Sequence, residues 1–179
     1  MAVGLYNKTY NFFIVVHSGF FLSGIPSRFL RQINSPQTPL IAFSVALNNN
    51  LTNLGVGQNI RFDTIIINEG NGFNIHHGTF TAPISGVYVF NVKIMGYLGH
   101  DKHFDFVQNG NNVIFRLYIG GSNGGNDDST GGSIVLRLQK GDDVVIQNGN
   151  VGHGVYGLFY SFFSGFLLRA SETNEIIVG

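Results

Sequence analysis

The sequence predicts an all-β domain, a sandwich or barrel of many short strands. Three observations predict it. Runs of four to eight β-branched and aromatic residues recur from residue 40 onward, clusters of Gly, Asn, Asp and Pro separate them, and no helical periodicity follows residue 40. Composition agrees. The 179 residues suffice for one domain with a core. Charged residues are 11%, and Lys+Arg balances Asp+Glu at 10 each, so nothing marks a surface for nucleic acid or an anionic membrane. Phe (17) and Gly (25) are abundant, and the lack of Cys removes disulfide and thiol chemistry. A mean hydropathy of +0.16 leaves more apolar surface than one small core hides, which points to an oligomer.

Residues 1–39 stand apart. The stretch "NFFIVVHSGFFLSG" has the apolar length of the h-region of a secretory leader, although His17 interrupts it. No stretch reaches the ~18 apolar residues of a membrane span. The segment also reads as an extra strand. Gly4, Tyr6, Tyr10, Phe12 and Phe13 of "GLYNKTYNFF" recur as Gly154, Tyr156, Tyr160, Phe162 and Phe163 of "GVYGLFYSFF". Both readings stay open.

The domain proper spans residues 40–170. "LIAFSVAL" alternates and ends in the turn-rich "NNNLTNLGVGQN". "IRFDTIII" closes at "NEGNG". "FNIHHGTF" reads as a strand, which puts His76 and His77 on opposite faces. In "GTFTAPISGVYVFNV", Pro83 stops a ladder, Gly86 turns the chain, and residues 87–92 alternate, giving strand, corner, strand. "HFDFVQNGNNVIFRLYIG" is a hairpin about Asn109-Gly110. "GGSNGGNDDSTGG" is a long loop. "SIVLRLQKGDDVVIQN" reads as another hairpin, turning at Lys140-Gly141-Asp142, and residues 171–179 form a tail.

The last long strand, "GVYGLFYSFFSGFLL", is apolar on both faces. Tyr156, Leu158, Tyr160, Phe162, Phe166 and Leu168 share one face; Val155, Phe159, Phe163 and Leu167 share the other. A sandwich strand ordinarily has one wet face. One face therefore packs the core and the other packs a neighbouring subunit. Val155, Tyr156, Phe159, Tyr160, Phe162, Phe163 and Phe166 are interface or core, and Gly157, Ser161 and Gly165 let neighbouring chains approach.

"AFSVAL", "IRFDTIIINEG", "FNIHHGTFTAPISGVYVFNV", "GGSIVLRLQKGDDVVIQN" and "YSFFSGFLL", in this order and spacing, resemble the globular C1q domain of the C1q/TNF-like group. The resemblance implies a ten-stranded jelly-roll β-sandwich that assembles as a compact homotrimer. It also implies a secreted, extracellular binding protein, since many such domains are pattern-recognition lectins of innate immunity. In that family the Pro83–Gly86 corner leads into an inner strand whose Tyr88 and Phe90 plug the core. The chain has no Gly-X-Y repeats and hence no collagen stalk.

The loops hold the candidate ligand-binding residues: His100, Asp101, His103, Asn123, Asn126, Asp127 and Asp128. They qualify by type, since sugar sites combine planar polar groups with an aromatic platform. The pair His100 and His103 lacks a third metal ligand nearby and reads more simply as solvated loop. Some relatives bind Ca²⁺ at the loop matching "GGNDDSTGG", where Asp127 and Asp128 are the candidate calcium ligands. Gly120-Gly121 stands where the family has an acidic pair, so no cofactor is expected to be required. Asn7 ("NKT") and Asn50 ("NLT") are glycosylation sequons for a secreted chain. No hydrolase, zinc-protease or phosphate-loop motif is present, so no enzyme is predicted.

The reading is a secreted, non-catalytic, trimeric recognition module that binds carbohydrate or microbial surface patterns. The alternative is a structural or matrix protein that self-assembles in an egg coat, adhesive or shell layer. A soluble ligand for a cell receptor is a third.

Overall fold

The computed structural model describes residues 39–97, 101–120 and 128–171, together with the backbone of two short N-terminal strands. These are β1 (Gly4–Tyr6) and β2 (Phe13–Val15), an antiparallel pair within a compact unit of residues Met1–Gln37. The leader reading of residues 1–39 otherwise falls outside the described residues.

The second unit, Thr38–Gly179, is all β among its described residues. Its strands are β3 (Ala42–Ala46), β4 (Leu51–Leu54), β5 (Thr64–Glu69), β6 (Phe73–Asn74), β7 (Thr79–Thr81) and β8 (Gly86–Tyr97). They continue as β9 (Lys102–Gln108), β10 (Asn112–Ile119), β11 (Ser129–Leu138), β12 (Asp143–Asn148), β13 (His153–Val155) and β14 (Phe162–Ala170). Two antiparallel sheets form. One has the order β10-β9-β12-β7-β6. The other runs β11-β8-β14-β3-β5, with β13 and β4 added beside the end of β8. The five-plus-five arrangement is the expected ten-stranded jelly roll, and β4–β13 extends it.

Aromatic side chains fill the space between the sheets. Phe43, Phe62, Phe73, Phe80, Phe90, Phe104, Phe106, Phe163 and Tyr88 are buried. The Phe43 ring stacks on Phe73 at 5.0 Å and on Phe80 at 4.9 Å, and meets Phe163 edge-on at 4.9 Å. Such pairs are worth about 0.5–1.5 kcal/mol beyond area burial. Tyr88 keeps its hydroxyl satisfied by donating to Ile84 O at 2.7 Å.

The corner at residues 82–85 carries the chain from β7 in one sheet to β8 in the other. Gly86 serves it through close approach: a Cβ there would lie 2.6 Å from Arg169 O and 2.6 Å from Leu167 Cδ1. The Asn109-Gly110 turn also forms, with φ of 51° and 81°.

Three expectations are corrected. First, residues 129–148 are not a hairpin. β11 pairs with β8, whereas β12 pairs with β7 and β9, so Lys140-Gly141-Asp142 is a crossing between sheets. Second, His76 and His77 lie in a turn rather than on a strand. Asn74 Oδ1 accepts from both of their amides, at 2.9 and 3.2 Å, and Gly78 N closes on Asn74 O at 2.8 Å. Third, the last long strand is two strands. β13 and β14 both lie along β8, but the register slips by four residues between Val155↔Gly96 and Phe162↔Lys93. Residues 157–160 are extruded as a loop, with Leu158 and Phe159 at φ of 50° and 65°.

Candidate functional site

The extruded loop decides what each residue of the final segment does. Val155 and Phe163 are buried in the core. Phe162 and Phe166 point to the outer face of the larger sheet, where Phe166 is 42% exposed. Phe159 and Tyr160 share neither face; they stand exposed in the loop, and half-buried Tyr156 meets the Tyr160 ring edge-on at 6.1 Å. The small residues serve this chain's own packing. Ser161 is buried and its Oγ accepts from Met95 N at 3.0 Å; a Cβ on Gly165 would lie 2.5 Å from Phe90 Cδ1. Gly157 lies so close to Asn48 and Asn49 that a Cβ would fall 2.6 Å from Asn49 C.

The outer face of the larger sheet carries an apolar row. In register across four strands lie Val135, Val89, Phe166 and Ala42. Val135 is 59% exposed, and Leu168, exposed as well, falls at a bulge of β14 just beyond the row. The next row inward is polar: Ser133, Asn91, Ser164 and Ser44, with Ser133 Oγ donating to Asn91 Oδ1 at 2.7 Å. Edge strand β5 leaves Ile65, Ile66 and Ile67 exposed, of which Ile67 lies opposite Ser44 on this face. Contiguous apolar surface of this kind is seldom left bare on a protein that stays a monomer.

The loop candidates divide. His100, Asn123, Asn126 and Asp127 fall outside the described residues. Asp128 is exposed, and its carboxylate is engaged locally, accepting from Ser129 N at 2.7 Å, while its carbonyl accepts from Gly96 N at 2.9 Å. Among the described residues no group of three or more His, Cys, Asp and Glu is placed to hold a metal ion. Of the two sequon asparagines, Asn50 is exposed, whereas Asn7 lies outside the described residues.

Asp101 and His103 are brought together by a residue that sequence reasoning missed, Tyr118. His103 sits on β9 rather than in a turn, directly opposite Tyr118 of β10, with ring centroids 5.0 Å apart. The Asp101 carboxylate accepts a hydrogen bond from the Tyr118 hydroxyl, which, with slight desolvation and the Asp101 charge, holds that phenol above its ordinary pKa. Tyr118 is 52% exposed. The Asn109-Gly110 turn alone would set Tyr118 opposite Lys102; a bulge between Val113 and Phe115 shifts the register by one residue and places Tyr118 beside His103, which the sequence does not announce.

An open cleft of about 380 Å³ lies beside β5 and is lined by Ile65, Asn71, Asn74, His76 and Thr81 among others. No helix of the described residues is long and apolar enough to cross a membrane.

A model of the C1q domain matches residues 42–168. The mouse Complement C1q tumor necrosis factor-related protein 3 is 36% identical over 129 residues, covering 72% of this chain and 51% of that protein. The mouse Complement C1q tumor necrosis factor-related protein 2 is 34% identical over 145 residues, covering 75% and 46%. The chain thus spans about half the length of these curated relatives. Among solved structures, the globular domain of zebrafish Complement 1qA superposes with a TM-score of 0.62 at 24% identity, covering 75% of this chain and all of that one. The Eiger TNF of S. frugiperda superposes with a TM-score of 0.65 at 14% identity, covering 76% and 98%. These two likenesses show a common fold.

Proposed function

The chain belongs to the C1q domain family, and from that premise we propose that it is a secreted, non-catalytic, trimeric module that recognises carbohydrate or microbial surface patterns. The observation that carries the ligand class is the Tyr118 cluster. An exposed phenol ring offers a platform for the C–H face of a sugar, and Asp101 and His103 beside it offer planar polar groups for its hydroxyls. The site is shallow, so a single copy binds weakly. Three copies on one trimer convert weak contacts into retention on a dense surface. The apolar row of Val135, Val89 and Phe166 supplies a face for that assembly.

The test is binding of purified protein to an array of dense glycans, with wild type and Tyr118→Ala side by side. Wild type is expected to bind a subset of glycans, and the variant to lose about two- to tenfold in affinity at each site, the scale of a lost aromatic contact. Equal binding by both overturns the assignment of the site. Binding to no glycan, combined with binding to cells, turns the reading toward a receptor ligand.

The exposed Ile65, Ile66 and Ile67 favour a second reading, a self-assembling structural protein. An edge strand with unpaired backbone and apolar side chains is a template for further strands. Growth beyond a trimer with rising concentration, abolished by Ile66→Lys, would support it.

A further inference from the structure

The loop of residues 157–160 holds two bulky side chains in solvent, Leu158 at 65% and Phe159 at 58% exposure. Both have left-handed backbone, a conformation that bulky L-residues disfavour. The loop is nonetheless firmly built. Leu158 N donates to Asn48 O at 2.8 Å, Phe159 N to Leu47 O at 2.9 Å, and Gly157 N to Asn50 Oδ1 at 2.7 Å. Asn48 and Asn49 are themselves fixed by Asp63, whose carboxylate accepts from both of their amides, at 2.7 and 2.9 Å. A strained, anchored, apolar knob thus sits directly against residues 47–50, and Asn50 is the acceptor of the sequon Asn50-Leu51-Thr52.

We propose that Asn50 carries an N-linked glycan whose first sugars lie over Leu158 and Phe159. The inference rests on the secreted reading above. The chemistry fits the anchor. In N-glycosylation the side-chain Nδ2 bonds to the anomeric carbon of a lipid-pyrophosphate-linked oligosaccharide. The bond from that carbon to the pyrophosphate oxygen breaks, the lipid pyrophosphate leaves with the electron pair, and one Nδ2 proton passes to a base. The carboxamide oxygen is untouched, so Asn50 Oδ1 goes on accepting from Gly157 N while Nδ2 carries the sugar. Asn50 is exposed, as the modified side chain must be in the folded protein. The C–H faces of the core sugars then cover apolar surface that is otherwise left wet.

The full chain is expressed in animal cells in two forms, as it stands and behind a host secretory leader. Thr52→Ala removes the Asn50 sequon without altering Asn50, and Thr9→Ala removes the one at Asn7. Export of the form as it stands would support the secreted reading, and the leader-bearing form keeps the glycan test readable whichever form is exported. Wild type and Thr9→Ala are expected to lose the mass of an N-glycan on treatment with a peptide-N-glycanase, with Asn50 converted to Asp. Thr52→Ala should lack that glycan. Equal masses for secreted wild type and Thr52→Ala, with Asn50 unconverted, overturn the proposal. The covering is read separately with an apolar dye. Enzymatic removal of the glycan from folded protein should raise dye fluorescence several-fold, and Leu158→Ser with Phe159→Ser should cancel the rise. No rise, or a rise that persists in the double variant, overturns the placement. So does association of the glycosylated protein that the double variant abolishes, because a second copy would then occupy the knob.

Discussion

Asp142 and Asn109 tie the crossing between the sheets to the hairpin turn of the smaller one. Asn109 Nδ2 donates to Asp142 Oδ1 at 3.0 Å, and Asn109 Oδ1 accepts from Asp143 N at 3.0 Å. The Gln139 amide, first, and the Asn109 side chain hold the Asp142 carboxyl below its ordinary value. A depressed folded pKa contributes stability above the unfolded pKa and loses it as pH falls through the folded value. Through loss of these hydrogen bonds, discounted for solvent screening of an exposed carboxylate, Asp142→Ala is expected to cost about 0.5–1 kcal/mol at neutral pH. The gap to wild type should narrow as pH drops below about 4. Thermal unfolding against pH at one protein concentration checks this; a gap unchanged from pH 7 to pH 3 would contradict it.

Gly165 lies against Phe90 so closely that no side chain fits. A Cβ would stand 2.5 Å from Phe90 Cδ1 and 2.8 Å from Phe43 Cε1, and both rings are buried. Gly165→Ala should destabilise by about 1–3 kcal/mol through overpacking. Gly132 is the control, since its Cβ would meet Phe115 Cε2 at an ordinary 3.4 Å. Gly132→Ala should be close to neutral in denaturant unfolding; equal losses at both positions would refute the packing argument.

Much of this was readable in the chain. The alternation of residues 87–92, the Asn109-Gly110 turn and the Pro83 corner are local signals, and the structure follows each. What escaped depends on distant partners. Nothing in Lys140-Gly141-Asp142 distinguishes a hairpin from a crossing, because the difference lies in β8 and β7, the strands that β11 and β12 find. Period-2 reading ran through residues 155–168 because Leu158 and Phe159 give no residue-type warning of left-handed backbone. The extrusion depends on carbonyls of Leu47 and Asn48 over a hundred residues away. Tyr118 was overlooked because an exposed Tyr on a strand gives no reason for notice until its cross-strand neighbour is known.

Calcium should be dispensable for folding. Asp128 already commits its carboxylate to its own loop, accepting from Ser129 N at 2.7 Å, and Gly120-Gly121 supplies no acidic partner. Melting temperatures in a chelator and in millimolar Ca²⁺ should agree within a degree or so. A site with ligand in large excess over its Kd adds several kcal/mol, so a rise of many degrees with Ca²⁺ would contradict this.

Charge placed along the final segment should sort by position. Phe163 is fully buried, and Phe163→Asp puts an unpaired carboxylate in the core at a cost of several kcal/mol. That chain should fail to fold. Phe159→Asp and Tyr160→Asp fall on the exposed loop and should keep wild-type circular dichroism. Unfolding by either loop variant would return them to the core.

Avidity and the role of the outward row both depend on three chains meeting across Val135, Val89 and Phe166. Light scattering coupled to size exclusion at micromolar concentration tests this most directly. Wild type is expected at three times the chain mass of 19.6 kDa. Phe166→Asp should run as a folded single chain, because the interface would bury a charge from each copy without a partner. A monodisperse, stable wild-type monomer, or a Phe166→Asp trimer as stable as wild type, would contradict it.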